Sequence, residues 1–252
     1  DEEGGIAIEL FTSGTTGDPK SAILRHDNLM AYILGTIEFM SAEETQSTLV
    51  SVPPYHIAGI SAILSSVYAG RRMVQLPNFS PEAWLKLAMQ ENVSQAFLVP
   101  TMLQRIIEHV TNINETLPPP AMQAIAYGGG KMPHAVIEQA MSLMPHVNFT
   151  NAYGLTETSS TICLLDPDDH REAFESEDPA VRARLSSVGR PLPAVELEIR
   201  DDNNAPCGAG EAGYVFVRGD QVSGEYHGSG SLLDENGWFP TRDRGYLDDA
   251  GY

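Results

Sequence analysis

Ile6-Ala7-Ile8-Glu9-Leu10-Phe11-Thr12-Ser13-Gly14-Thr15-Thr16-Gly17-Asp18-Pro19-Lys20 is the stretch on which the fold turns. Its first residues form an apolar, β-branched run of strand length, and those from Thr12 onward give up hydrophobicity for glycine and hydroxyl groups. Gly14 and Gly17 let backbone N–H groups turn inward on an anion. Thr12, Ser13, Thr15 and Thr16 add neutral donors, and Lys20 adds one cation. The pattern predicts a strand that ends in a polyphosphate-binding loop. It is not a Walker A loop, which needs a Gly-Lys pair, whereas here Pro19 precedes Lys20. A hydroxyl-rich surface turn is the alternative.

Four further apolar runs, Thr48 to Val52, Arg72 to Leu76, Ser94 to Val99 and Met122 to Tyr127, each end in a Gly- or Pro-bearing turn. They alternate with segments of helical period, which predicts an α/β fold: a largely parallel sheet covered by helices, with ligands at the strands' carboxyl ends. Ser80 and Pro81 read as the cap and first residue of a helix that turns Trp84, Leu87 and Ala88 inward. Another helix, starting near Pro133, carries Val136, Ile137, Ala140, Met141 and Met144 as a core stripe. From Leu164 to Arg184 the acids Asp166, Asp168, Asp169, Glu172, Glu175, Glu177 and Asp178 predict a solvated loop, without the spacing of a calcium loop. After Val188 the runs Val195 to Arg200, Gly213 to Arg218 and Trp238 onward are short strands between turns. The expected division is an α/β part over 1–185 and a smaller, β-rich subdomain over 186–252.

The 252 residues are 42% hydrophobic and 19% charged, enough apolar material for a real core, which excludes a disordered chain or a disulfide-stapled miniprotein. Fifteen Lys and Arg against 34 Asp and Glu leave a net charge of −19, a field that repels nucleic acid and anionic lipid. Cys163 and Cys207 lack a C-x-x-C spacing, which argues against a disulfide framework and for a reducing, cytoplasmic location. No apolar run approaches the ~20 residues of a membrane span. Asp1-Glu2-Glu3 is acidic where a secretory signal is basic. The expectation is a soluble, unexported protein without an integral membrane segment.

Other segments carry chemistry. In Asn151-Ala152-Tyr153-Gly154-Leu155-Thr156-Glu157, a threonine offers its hydroxyl to a phosphate and a glutamate offers oxygen to Mg²⁺. Gly128-Gly129-Gly130 makes a side-chain-free floor at a strand end, or simply a flexible turn. Asp243 has the acceptors for a pair of ribose hydroxyls. Val52-Pro53-Pro54-Tyr55-His56-Ile57-Ala58-Gly59 is neutral, with His56 read either as a substrate contact or as a packed histidine.

Four motifs in order give the chain its resemblance to the adenylate-forming superfamily of AMP-dependent synthetases and ligases, nearest the acyl-CoA synthetases of the fatty-acid–CoA ligase type. Thr12–Lys20 resembles the signature phosphate loop, Asn151–Glu157 the second motif, Gly210–Gly219 the third and Gly237–Gly245 the fourth. The resemblance implies activation of a fatty or aryl acid by ATP to an acyl-adenylate, with release of pyrophosphate, then thioester formation with coenzyme A. Mg²⁺ would assist. It implies catalytic contacts for Thr16, Lys20, Thr156 and Glu157, with Glu157 on the metal. Thr12, Ser13, Gly14, Thr15, Gly17, Gly128, Gly129, Gly130, Asn151, Ala152, Tyr153, Gly154 and Asp243 would hold the nucleotide, with Tyr153 stacked on adenine. Tyr55, His56 and Gly59 would line the acid pocket, and the missing aspartate there points to an acid without an α-ammonium group. Arg242 and Ser21 stand where the family more often has glycine. The family's N-terminal part and its mobile C-terminal domain are expected to lie outside this chain, which would then not turn over alone. An acyl-AMP ligase, a domain loading a carrier-protein thiol and a catalytically silent nucleotide-binding module stay open as alternatives, as does a homodimer.

Overall fold

The computed structural model describes residues 5–12, 20–112 and 119–252. Two compact units divide the chain, one of residues 37–152 with 165–188, the other of 1–36, 153–164 and 189–252.

The second of these opens on an antiparallel hairpin. Strand β1 (Ile6–Thr12) pairs with β2 (Lys20–Arg25) from Ile6↔Arg25 to Thr12↔Lys20, with a bulge between Ile6 and Ile8. Helix α1 (His26–Thr36) follows directly. The run Ile6 to Phe11 is therefore not a strand of the parallel sheet, as its sequence suggests. Only residues 13–19 connect β1 to β2, and a parallel crossover takes about a dozen residues or more, so the chain returns antiparallel.

The α/β unit alternates β3 (Ser47–Val50), α2 (Ile57–Ala69), β4 (Arg72–Gln75), α3 (Pro81–Gln90), β5 (Gln95–Leu98), α4 (Pro100–Asn112), β6 (Ala124–Gly128), α5 (His134–Leu143) and β7 (Asn148–Leu155). The strand order is β4-β3-β5-β6-β7, and every pairing in it is parallel. All four residues of β3 are buried, as an inner strand covered on both faces requires. Trp84, Leu98, Leu103, Ile125, Tyr127, Ile137 and Phe149 fill the core. Helix α3 begins as its sequence predicts: Ser80 Oγ accepts from the Ala83 N–H at 3.1 Å and Pro81 stands in the first turn. Helix α5 turns Ile137, Ala140 and Met141 inward, also as predicted. The order reverses between β3 and β5, and in an open parallel sheet that reversal leaves a ligand crevice outside the carboxyl ends of the two strands.

Residues 164–184 are not a loop. They hold α6 (Pro167–Glu175) and α7 (Pro179–Ala183). Asp166 Oδ1 accepts from the Asp169 N–H at 2.8 Å, Asp169 Oδ2 accepts from the Asp166 N–H at 3.4 Å, and Pro167 opens the first turn. The acids that suggest a solvated run are thus partly a capping box and first-turn charges favoured by the helix dipole.

The remaining strands are β8 (Ser160–Leu165), β9 (Arg190–Pro191), β10 (Glu196–Arg200), β11 (Gly213–Arg218), β12 (Glu225–Tyr226), β13 (Gly230–Ser231) and β14 (Phe239–Gly245). The all-β texture expected after Val188 is present. Sheet β10-β11-β14 is antiparallel, and β12 with β13 extends the β1-β2 hairpin to four strands. Ile162, Cys163, Val195, Ile199, Val215, Val217 and Phe239 form this unit's core. Burial pushes the Cys163 thiol up to about 12, so it is an inert packing group. Among the described residues no helix is long and apolar enough to cross a membrane.

Candidate functional site

In the α/β unit, the predicted acid-pocket residues follow β3, at the strand-order reversal. His56 takes the N-cap position of α2 with extended backbone, φ −110° and ψ 144°, and its side chain makes no cap hydrogen bond. Its ring lies 5.3 Å from that of Tyr55, tilted by 45°, and both residues are exposed. His56 is therefore not a packed core histidine. Gly59 is buried one turn into α2, against the Pro53 carbonyl. Two strands along the sheet, β6 ends in Gly128, where a Cβ would stand 2.1 Å from the Ala152 carbonyl oxygen of β7. Only glycine allows that approach, and Gly129 and Gly130 continue the bare floor. The Asn151 amide donates to the Ser187 carbonyl at 2.8 Å, so this side chain anchors the chain after α7.

Beneath that floor Tyr127 and His170 form a pair that local sequence does not signal. The Tyr127 hydroxyl is 2.8 Å from His170 Nε2, and His170 Nδ1 is 2.7 Å from the Asp166 carbonyl. A carbonyl can only accept, so Nδ1 carries the proton and Nε2 accepts from the phenol. Burial pushes the imidazole down and the phenol up, which keeps both groups neutral.

In the other unit, the tip of the β1–β2 hairpin is flanked by Thr12 and Lys20, and Thr12 Oγ1 donates to the Lys20 carbonyl at 3.3 Å. Ser13, Gly14, Thr15, Thr16 and Gly17 lie outside the described residues. The Lys20 ammonium stands 5.9 Å from the centroid of the Tyr226 ring, and the Tyr226 hydroxyl donates to Glu157 Oε1. Glu157 is 7% exposed and makes no ion pair among the described residues. Its backbone carbonyl accepts from the N–H groups of Ser223 and Gly224 at 2.9 and 3.1 Å.

Glu157 sits in a 3₁₀ turn, Thr156–Thr158, and is followed by Ser159 at φ 57° and Ser160 at φ 120°. Such backbone costs a non-glycine residue on the order of 1–3 kcal/mol and persists only where its surroundings impose it. Here Thr158 Oγ1 accepts from the Leu155 N–H at 3.0 Å, and Gln221 Nε2 donates to the carbonyls of Thr158 and Thr161 at 3.0 and 2.8 Å.

Tyr153 and Asp243 meet in the same unit: the phenol donates to Asp243 Oδ2 at 2.6 Å. Asp243 is placed by Thr241, whose Oγ1 donates to the Val215 carbonyl at 2.8 Å and accepts from the Asp243 N–H at 3.1 Å. Between them Arg242 has φ 68°, the left-handed conformation that glycine takes without strain. The departure from the family's glycine thus changes the residue and keeps a glycine-like backbone.

Among the described residues no three His, Cys, Asp or Glu side chains converge on a metal cage. A divalent ion at Glu157 would be shared between one carboxylate and the phosphates of its ligand, the usual arrangement for Mg²⁺. The residues fit such an ion, because a buried acid without a cationic partner is costly until a cation joins it.

That carboxylate lies in one compact unit with Lys20, the residue that ends the hydroxyl-rich motif of the sequence. The chain belongs to the AMP-binding enzyme family, whose sequence pattern matches residues 2–227. It is similar to a 2-succinylbenzoate–CoA ligase of Bacillus velezensis, with 32% identity over 249 residues that cover 98% of this chain and 47% of that protein. The o-succinylbenzoate CoA synthetase of Bacillus subtilis in complex with the acyl-adenylate intermediate OSB-AMP superposes with a TM-score of 0.81 at 29% identity, over 96% of this chain and 47% of that one. The same enzyme in complex with ATP and magnesium ion gives 0.80 at 30% identity, over 96% and 48%. The chain spans about half the length of the curated relatives it matches.

Proposed function

We propose that the protein activates a carboxylic acid with ATP and transfers the acyl group to coenzyme A. The acid's carboxylate attacks the α-phosphorus in line, pyrophosphate leaves, and the thiol then attacks the acyl-adenylate and expels AMP. The observation that carries this reading is Glu157, a carboxylate 7% exposed that makes no ion pair among the described residues, with Lys20 in the same unit.

Each group has a task in this scheme. Lys20, with Thr15 and Thr16 of the same sequence motif, binds the phosphates and neutralises charge as it spreads in the transition state. Thr156 adds a hydroxyl on the phosphate side. Tyr153 and Asp243 hold the nucleoside, Tyr153 against adenine and Asp243 on the ribose hydroxyls. Glu157 would hold Mg²⁺, which would supply further charge neutralisation. Gly128, Gly129 and Gly130 leave bare backbone at the end of β6, where a flat ligand could approach closely. The exposed Tyr55 and His56 form an entrance without a carboxylate to fix an α-ammonium, which favours a fatty or aryl acid over an amino acid.

The test is release of AMP and pyrophosphate from ATP·Mg²⁺ by the whole protein across fatty, aryl and amino acids, with and without coenzyme A. Acid-dependent release accelerated by coenzyme A is expected. Formation of ADP, or nucleotide binding without any acid-dependent release, overturns the reading.

A further inference from the structure

Residues 221–226 grip the Glu157 turn at several points, and the resemblance assigns none of them a task. Gln221 holds the carbonyls of Thr158 and Thr161, Ser223 and Gly224 hold the carbonyl of Glu157, and Tyr226 holds its carboxylate. The same segment is fastened to β2, the strand that begins at Lys20. Glu225 pairs with Ile23 and Tyr226 with Ala22 in the sheet. Ser223 Oγ donates to the Ile23 carbonyl at 2.6 Å, and Arg25 grips Glu225 through Nε and a terminal nitrogen, each at 2.8 Å. A two-residue strand is a weak element alone. A bidentate arginine–carboxylate pair gives it a defined geometry.

We infer that Tyr226 is the positioning residue for Glu157, holding one carboxylate oxygen so that the acid is oriented for a divalent cation before that cation arrives. This rests on the reading of Glu157 as the Mg²⁺ ligand. A free glutamate side chain samples several rotamers, and a metal that binds through a single protein carboxylate loses affinity for each rotamer it must exclude. A phenol suits the task. It donates one proton and brings no positive charge, so it fixes the carboxylate without neutralising it as an arginine would. Its ring also keeps the Lys20 ammonium, 5.9 Å away, in the same neighbourhood.

The test is calorimetric binding of ATP to the whole protein, in EDTA and across a Mg²⁺ series, for the wild type, Tyr226→Phe and Glu157→Gln. Removing a hydrogen bond to a charged group is expected to raise the Mg²⁺ concentration at half-saturation in Tyr226→Phe by about three- to tenfold. The affinity for ATP in EDTA should stay within about twofold of the wild type, since the lost bond is to the metal's ligand and not to the nucleotide. Glu157→Gln should shift the Mg²⁺ dependence further. A shift in Glu157→Gln without one in Tyr226→Phe overturns the positioning role alone; no shift in either overturns the reading of Glu157 itself. Equal weakening with and without Mg²⁺ in Tyr226→Phe assigns the tyrosine to general structure and also overturns the inference. Should Tyr226→Phe fail to fold, Tyr226→Gln takes its place in the titration, with the same expected direction and with an unshifted Mg²⁺ dependence as the overturning result.

Discussion

The Tyr153 hydroxyl and the Asp243 carboxylate, ninety residues apart in sequence, meet at 2.6 Å and tie β7 to β14. Burial, then the bond to Asp243, pushes the phenol well above its ordinary range, so Tyr153 remains the donor throughout the physiological pH range. A carboxylate has about four acceptor sites, and Tyr153 takes one of them, leaving capacity for ribose hydroxyls while setting the plane of the group. Under the proposed function, Asp243→Ala is expected to weaken AMP binding by about ten- to a hundredfold and Tyr153→Phe by less, with little change in melting temperature for either. Isothermal calorimetry with AMP decides this; wild-type affinity in Asp243→Ala would remove the carboxylate from the nucleotide site.

Gly154 separates Tyr153 from the turn that carries Glu157, and a Cβ there would stand 1.9 Å from the Ser160 carbonyl oxygen and 2.6 Å from its carbon. Both are backbone atoms, so no side-chain rotation relieves the clash. Gly154→Ala should therefore cost about 2–3 kcal/mol of stability, read from urea unfolding, and should displace Glu157 as well. A loss below about 0.5 kcal/mol, the range of surface changes, would show that the two segments part without penalty.

What was legible in the sequence follows from what is local. The runs around Leu49, Ala96 and Ile125 are short and apolar, the first buried along its whole length and the other two alternating buried with half-buried residues, so they read as inner parallel strands. Ser80 with Pro81 announces α3 through its cap. The run Ile6 to Phe11 has the same composition as those inner strands but a different partner. Pairing with β2 is decided by the length of the connection and not by the run itself. Asp166 and Asp169 belong to an acidic stretch whose charges suit a loop or a helix N-terminus equally, and only the reciprocal bonds distinguish the two. In the site, the motifs expose Tyr153, Glu157 and Asp243 one by one. That Tyr153 bonds Asp243, or that Tyr226 bonds Glu157 from 69 residues away, depends on strand pairing and left no periodicity to read.

His170 makes the α/β unit acid-sensitive. Burial lowers its pKa most, the Asp166 carbonyl and the charges of Asp169 and Asp166 oppose that, and Arg171 adds to it. In the unfolded chain the imidazole titrates near 6.5, so below that pH the unfolded state binds a proton that the folded state refuses. The associated stability is full above about 6.5 and is lost as the pH falls through it. The wild-type melting temperature is expected to drop between about pH 7.5 and 5.5, and to drop less in His170→Gln. Parallel melting profiles for the two proteins would exclude His170 as the source.

Arg242 tests whether the left-handed turn beside Asp243 costs the fold anything. Its φ of 68° carries a penalty of ~1–2 kcal/mol for a residue with a Cβ. Glycine removes that penalty and adds about 0.4–1 kcal/mol of unfolded-chain entropy. The side chain is exposed, so its loss removes little packing. Arg242→Gly should thus melt at or slightly above the wild type, while Arg242→Ala keeps the Cβ strain and stays near the wild type or below it. The difference between Gly and Ala isolates the backbone term, because neither carries the guanidinium. If both variants fall below the wild type by the same margin, the arginine side chain outweighs the strain, and the residue is held in this conformation by what its guanidinium does.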